Sequence, residues 1–599
     1  MQVESVTYRW EMREGADPET VAALSRDLNN LPVGLARALV LRGITGFEDA
    51  RAFFRTNLEQ LHDPFLMKDM DAAADRLVAA IHRGEKVLVY GDYDVDGVTS
   101  TVMMTSFLTS LGVETRFFIP NRQTHGYGLH VAGLEFAAST GCTLVVALDC
   151  GITAVEPALA ARKLGLDLII CDHHTVGDAI PDAVAVLDPK RPDCSYPYPH
   201  LSGCGVGFKL AEAALLLLGR DRSELHPLLD LVAISIASDI VPVTGENRIL
   251  FRAGLDVLRS DSRIGTRALA SGARLDIRTC SPSQIVFGIA PRINAAGRLA
   301  EAADAARLLL AADAAVARDL AKQIETTNAT RKKIDADTEL QAVEMASRIR
   351  SERSADAYVL YDASWHPGVI GITASRVVER FFRPTIMLTD VDGTVKGSAR
   401  SIHGVNVYEA ISKCRDVLIQ FGGHDFAAGV QLERSQVDAF RRRFEEAVSE
   451  QLTPELRRPA IRIDAEVSLE EIDERFWAVL KQFEPFGPSN SRPVFVSHGL
   501  EVVQPPRVLG KRGEHLKFKV RQSGTARGIV RDVIGFDMGD RQDFVSGLFS
   551  SGATLSMAYT VDENEWKNTK TLQLRPRDMR ADGASMAVAE VSASDRSSG

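Results

Sequence analysis

The sequence predicts an α/β chain of several domains: a doubly wound parallel-sheet domain, a long connecting helix, a smaller α/β domain and a β-rich C-terminal domain. Three observations predict it. Between about residues 70 and 190, short continuous apolar runs alternate with helix-like segments, the pattern of strands buried on both faces and joined by crossover helices. Residues 316–350, "VARDLAKQIETTNATRKKIDADTELQAVEMASRIR", keep helical character without a break. From about 460 to 580 the pattern turns strand-like, with frequent Gly and Pro.

The elements follow in order. "KVLVY" (86–90) reads as a strand and "GVTSTVMMTSFLTSLG" (97–112) as the helix after it. "TLVVAL" (143–148) precedes the helical "TAVEPALAARKLG" (153–165), and "DLIIC" (167–171) and "AVAVL" (183–187) complete the strand set. A second α/β region has "AYVLY" (357–361) and "PTIMLT" (384–389) as strands and "GVIGITASRVVERFF" (368–382) as a helix. The expected division is an N-terminal helical region at 1–69, the parallel-sheet domain at 70–250 and a helical region with the connecting helix at 251–350. The second α/β domain is expected at 351–455, the β-rich domain at 456–580, and a small, polar tail, expected to be disordered, at 581–599. No internal repeat of fixed period is visible.

Composition narrows the class. The 599 residues are 45% hydrophobic and 25% charged, ordinary values for a globular protein. No stretch approaches the roughly 20 apolar residues of a membrane helix, and "MQVESVTYRWEMREG" lacks a signal-peptide profile, so a cytoplasmic protein is expected. Cysteines 142, 150, 171, 194, 204, 280 and 414 form no C-x-x-C pair and suit reduced, buried thiols. A net charge of −10 argues against a surface coated in nucleic acid but leaves room for a basic cleft.

The chemistry is concentrated at strand ends. "VLVYGDYDVDGVTS" (87–100) sets Asp92, Asp94 and Asp96 side by side, an arrangement that is costly unless a cation sits among them. "DYDVDG" opens like an EF-hand loop, but the twelfth position is Met103 and the preceding segment is strand-like, so that reading is rejected. A solvated acidic turn is the plain alternative. Recurrence weighs against it: the later strands run into Asp149, into Asp172, His173 and His174, and into Asp188. Ligands of doubly wound sheets bind beyond the carboxyl ends of the strands. Mixed Asp and His donors suit Mn²⁺, or Mg²⁺ less ideally, and their number suggests two ions sharing a carboxylate about 3.5–4 Å apart, as in phosphodiester hydrolysis.

These residues resemble the DHH phosphoesterase superfamily, named for the Asp-His-His at 172–174. "GDYDVDG", "ALDCG", "CDHH" and "ISIASDIVPV" (234–243) correspond to its four motifs, and "GSARSI" (397–402) and "GGHDFAAG" (422–429) resemble the associated DHHA1 substrate-binding domain. With "PRINAAGRL" (291–299) and the β-rich C-terminal segment, the chain is most similar to the RecJ family of bacterial exonucleases. The resemblance implies 5′→3′ hydrolysis of single-stranded DNA to mononucleotides with two Mn²⁺ or Mg²⁺ ions, in recombination and repair. A helicase and a single-strand-binding protein are then the expected partners, and a monomer is the default expectation for a channel-like exonuclease. Asp94 and Asp149 are then ligands of one ion, and Asp96, Asp149, His173 and Asp239 of the other. Asp92 and His174 lie beside them, orienting ligands or touching the scissile phosphate, and Asp172 fixes a neighbouring histidine or loop. Asp239 alone would read as a helix-end residue. One departure is Tyr90, where many members carry a histidine.

Substrate contacts are expected in four places. "IPNRQTHGYGLH" (119–130) offers Arg122 and Tyr127 for a phosphate and a base, although a glycine-rich surface turn looks the same. "NAAGR" places Arg298 after a small-residue turn, and the resemblance turns it toward the cleft. Glycine-flanked Ser398, Arg400 and His424 have the chemistry to grip a terminal phosphate, with a buried structural histidine as the alternative for His424. "HLKFKVR" (515–521) alternates Leu516, Phe518 and Val520 with Lys517, Lys519 and Arg521. That row would track a single strand on an oligonucleotide-binding (OB) barrel, or would guard an exposed edge strand. "EPFGPSNSRPVF" (484–495) resembles the family's entry into this barrel, with Ser-Asn-Ser in place of its glycine-bearing form. The rival readings are a DHH enzyme acting on short oligoribonucleotides or cyclic dinucleotides, and a catalytically silent DNA-binding scaffold.

Overall fold

Apolar runs that alternate with helices do build a parallel sheet. The computed structural model describes residues 7–122, 124–524, 528–566 and 569–582. Of the tail expected at 581–599, residues 583–599 lie outside the described residues. Contacts group the chain into two units: one of residues 56–458 with 485–490, the other of 1–55, 459–484 and 491–599.

The larger unit opens on a five-stranded parallel sheet in the order Thr115–Phe118, Val87–Gly91, Leu144–Leu148, Asp167–Cys171, Ala185–Leu187. Alternate residues of each central strand enter different cores. Val87, Val89, Val146 and Ile169 pack with the helices Val95–Ser110, Gly203–Leu217 and Leu229–Ser238. Leu88, Tyr90, Val145 and Ile170 pack with Val131–Ser139 and Val155–Lys163. Both faces are therefore covered, and each fully buried Val or Leu contributes about 1.5–3 kcal/mol. Thr115–Phe118 is absent from the strands the sequence reading named. As an edge strand it is only partly buried and carries Arg116, so it leaves no continuous apolar run. The first strand of this sheet in chain order, Val87–Gly91, thus sits between the second and the third, and the chain reverses direction across the sheet at that place. This reversal is the switch point at which doubly wound sheets bind ligands.

The long helix runs from Ala314 to Glu352, 39 residues, N-capped by Asp313. A mixed five-stranded sheet follows, ordered Gln420–His424, Ala427–Leu432, Thr394–Arg400, Thr385–Val391, Tyr358–Tyr361, with the helix Ile370–Phe381 against it.

In the smaller unit, strands Phe495–Val502, Thr554–Trp566, Thr569–Ala581, Val530–Gly535 and His515–Gln522 pair in sequence. The pairing of Leu500–Val502 with 520–522 closes the ring, giving a five-stranded OB-type barrel. Residues 9–12 of the expected N-terminal helical region form a strand parallel to 460–463. Among the described residues no helix is long and apolar enough to cross a membrane.

Candidate metal centre

Each strand end delivers its acid for a local reason. Asp94 caps the helix Val95–Ser110, its Oδ1 accepting from the Gly97 amide at 3.1 Å, which fixes Asp92 and Asp96 on either side. Asp96 is held at the start of the helix Gly203–Leu217: its oxygens accept from the amides of Gly203 (2.7 Å) and Cys204 (2.9 Å) and from Ser235 Oγ (2.7 Å). A helix N-terminus favours a carboxylate there. Asp149 follows its strand with φ +61, a left-handed conformation that costs a non-glycine residue energy and tends to persist at functional sites. A Cβ on Gly203 would stand 2.7 Å from Asp149 Oδ1, so only glycine admits this approach. Asp239 ends the helix Leu229–Ser238.

These groups converge. His173 Nε2 lies 3.2 Å from Asp149 Oδ1, 3.4 Å from Asp239 Oδ2 and 3.8 Å from Asp96 Oδ2. Three sets each bring their donor atoms within 4.8 Å of one another: Asp92, Asp94 and Asp149; Asp96, His173 and Asp239; and Asp149, His173 and His174. Burial, and then the neighbouring carboxylates, push Asp92, Asp149 and Asp239 well above the usual carboxylate range, and Asp94 upward as well. Burial lowers His173 to about 4, which leaves a neutral imidazole with a lone pair to offer. Asp92 Oδ1, Asp149 Oδ1, Asp239 Oδ2 and both His173 nitrogens are buried and meet no hydrogen-bond partner among the described residues. Unpaired buried acceptors are expensive. A divalent cation is the partner that would satisfy this set, and carboxylate with imidazole and no thiolate suits Mn²⁺ or Mg²⁺. The residues present therefore fit the metal.

Beside the cluster, Asp172 is a positioning group. Its oxygens accept from the amides of Ile152, His173 and His174, and Oδ1 lies 2.7 Å from His174 Nδ1. Burial would raise Asp172, but the His174 bond and charge dominate and hold it at about 2. Burial lowers His174, and Asp172 more than offsets this, so His174 is raised. Asp188 is buried and pushed to about 7 by its burial; it belongs to none of the three donor sets.

A cavity of about 260 Å³ opens on the cluster, bordered by Asp92, Asp94, Asp96 and Asp239, by Arg122 and Tyr127, and by Asn294 and Arg298. Arg298 stands within the helix Ala290–Leu299 rather than after the small-residue turn expected at "NAAGR": Ala295 and Ala296 favour helix, and Gly297 packs against the Tyr93 carbonyl. Burial, then the charges of Arg122, Arg331 and Arg400, lower Arg298 to about 10. Arg400 bonds Ser398 Oγ at 3.0 Å, and both meet Gly371 in the first turn of the helix Ile370–Phe381. Three arginines that repel one another, with Arg400 at a helix N-terminus, have the chemistry to hold an anion.

Other expectations fare differently. Tyr127 lies beside His174, its hydroxyl 3.1 Å from Nε2. His424 is exposed at the end of the hairpin strand Gln420–His424, which removes the buried-histidine alternative; it pairs with Ala427, which pairs with Arg400, so it stands level with that arginine two strands away. Lys517 and Lys519 each stand 4.0 Å from Asp532, and their strand is paired on both sides, which removes the edge-strand alternative. Sequence reasoning missed Tyr93, over whose ring Arg122 lies at 5.1 Å; its place between Asp92 and Asp94 was the available signal. It also missed the Ser202–Gly203 helix start that seats Asp96, signalled only by the glycines of "SGCGVG".

A parallel sheet with this carboxylate edge defines a class, and residues 86–236 match the DHH family, N-terminal domain, with the DHHA1 domain matched at 354–450 and the RecJ OB domain at 463–578. The chain is 38% identical over 573 residues to the single-stranded-DNA-specific exonuclease RecJ of Bacillus subtilis, covering 95% of this chain and 70% of that protein. The crystal structure of RecJ from Thermus thermophilus in complex with Mn²⁺ superposes with a TM-score of 0.80 at 28% identity, covering 96% of this chain and 79% of that one. The complex of the same protein with Mg²⁺ gives 0.73 at 26%, covering 96% and 78%. The chain belongs to the RecJ family.

Proposed function

We propose that the protein is a metal-dependent exonuclease that removes nucleotides from the 5′ end of single-stranded DNA, in recombination and repair. The observation that carries this reading is the buried set of unpaired carboxylate and imidazole donors at the switch point, facing a cavity whose other border carries Arg122 and Arg298. Asp92, Asp94 and Asp149 would hold one divalent ion and Asp96, Asp149, His173 and Asp239 a second, with Asp149 shared. Such ions supply Lewis acidity toward the scissile phosphate and a nucleophile at neutral pH.

The chain's own side chains do the rest. Arg298, Arg400 and Ser398 clamp the terminal 5′-phosphate, which stops the strand and sets polarity. Arg122 neutralises the next phosphate. His174 donates an Nδ1–H hydrogen bond to the ionised Asp172 and keeps Nε2 toward the cleft, where it donates to the phosphate or to the leaving 3′-oxygen. Lys517 and Lys519 lend the barrel strand its affinity for the phosphate backbone, weakened by Asp532. The domain division given above belongs to the same proposal. So do work as a monomer in the cytoplasm, and a helicase and a single-strand-binding protein as partners.

The test is digestion of 3′-labelled single-stranded DNA with Mn²⁺, beside a blunt duplex and RNA of the same sequence. A ladder that shortens from the 5′ end, with the duplex intact, is the expected outcome. Loss from the 3′ end, or equal attack on the duplex, overturns it.

A further inference from the structure

Tyr90 is the penultimate residue of the strand Val87–Gly91, next to the motif acids, and is fully buried. Its ring stacks on Phe118 at 5.4 Å between centroids. The hydroxyl makes two bonds to the segment that borders the cavity: it donates to the Gly128 carbonyl at 2.8 Å and accepts from the His130 amide at 3.2 Å.

That segment needs an anchor. Tyr127 stands between Gly126 and Gly128, at φ +85 and +103, and glycines of this kind give the chain freedom that folding must remove. Tyr127 is itself half exposed, its ring edge-on to Tyr93 and His174, so packing holds it only in part. The preceding turn is tied locally, with the His125 amide bonding the Asn121 carbonyl and His125 Nδ1 accepting from the Asn121 amide. On the other side of Tyr127 the tie is Tyr90. Tyr127 in turn places its hydroxyl against His174, which Asp172 orients.

We propose that Tyr90 is a positioning residue: its hydroxyl pins Gly128 and His130 and so holds Tyr127 against His174 at the mouth of the carboxylate cluster. This role differs from that of a ligand-bearing histidine, since both hydrogen-bonding capacities of the hydroxyl are spent on the backbone. The kinetic part rests on the hydrolytic reading of the cleft; the anchoring part does not.

The test is Tyr90→Phe, which keeps the ring on Phe118 and removes only the hydroxyl. Amide exchange is measured over residues 124–132, with kcat, KM and Mn²⁺ affinity on single-stranded DNA. We expect faster exchange at His130, kcat lowered about tenfold, and KM and Mn²⁺ affinity little changed. Tyr127→Phe should lower kcat by a similar factor, and the double variant should be no worse than either single one. Wild-type exchange at His130, additive effects, or faster exchange with unchanged kcat each overturn the proposal, as does a loss confined to Mn²⁺ affinity. If the wild type leaves DNA intact, the hydrolytic reading falls, and exchange at His130 still decides whether Tyr90 anchors the segment.

Discussion

Asp92 and Asp149 lie buried, with Asp239 half-buried near them, and each has a buried oxygen without a hydrogen-bond partner among the described residues, while Lys517 and Lys519 stand partly exposed, each facing Asp532 across a strand pair. Both are rows of like charge that the sequence marks clearly. The first is electrostatically unresolved within the chain, and each unsatisfied buried acceptor costs about 1–3 kcal/mol. The second is already answered by its neighbour, in water, where such a pair is worth about 0–1 kcal/mol. Charge that the protein leaves uncompensated in a buried place marks a ligand the site requires; charge that it partly compensates on the surface marks at most an auxiliary contact. The arginines at 122, 298 and 400 fall on the side of the carboxylates.

That contrast orders the expected effects. Asp149→Ala removes the acceptor that belongs to two of the three donor sets, and DNA cleavage should fall below detection while the fold, read by thermal unfolding, is retained; residual cleavage near the wild-type rate would erase the contrast. Asp172→Asn leaves the ligands in place and loosens His174, so kcat should fall about 10–100-fold, as for other outer partners of metal ligands. Arg400→Ala should weaken use of a 5′-phosphorylated strand about 10–100-fold, with little change on a 5′-hydroxyl strand, because a clamp on a charged phosphate is worth about 1.5–3 kcal/mol. Lys517→Ala with Lys519→Ala should change activity less than about fivefold and act mainly on the salt dependence of binding. An effect as large as that of Arg400→Ala would place the barrel lysines among the uncompensated charges.

Acidification sharpens the same point. Asp92, Asp94, Asp149 and Asp239 are raised above the ordinary carboxylate range, so protons compete with a cation for them. Metal affinity should therefore fall as pH drops from neutrality, with protons released on binding. Calorimetry in two buffers of different ionisation enthalpy reads that release, and its absence would mean that the carboxylates are not the ligands.

The strands and the acids at their ends were legible because parallel strands buried on both faces leave short apolar runs, and a charge at the end of such a run stands out. Thr115–Phe118 was not, since a half-buried edge strand leaves no such run. The arginines were legible in residue types but not in geometry: Arg298 comes to the cavity on a helix, and His424 is exposed on a hairpin two strands from Arg400. Tyr90, Tyr93 and Asp532 were missed in their roles because each acts through a neighbour set by tertiary register. A tyrosine that departs from a family histidine reads as a loss in the sequence, and only the Gly128 and His130 contacts give it a task.

The most direct measurement is Mn²⁺ titration by calorimetry of the wild type beside Asp149→Ala. Two ions bound by the wild type with proton release, and affinity lost in the variant, is the predicted result. Wild-type binding by Asp149→Ala, or no binding by either protein, would contradict a metal centre built around Asp149.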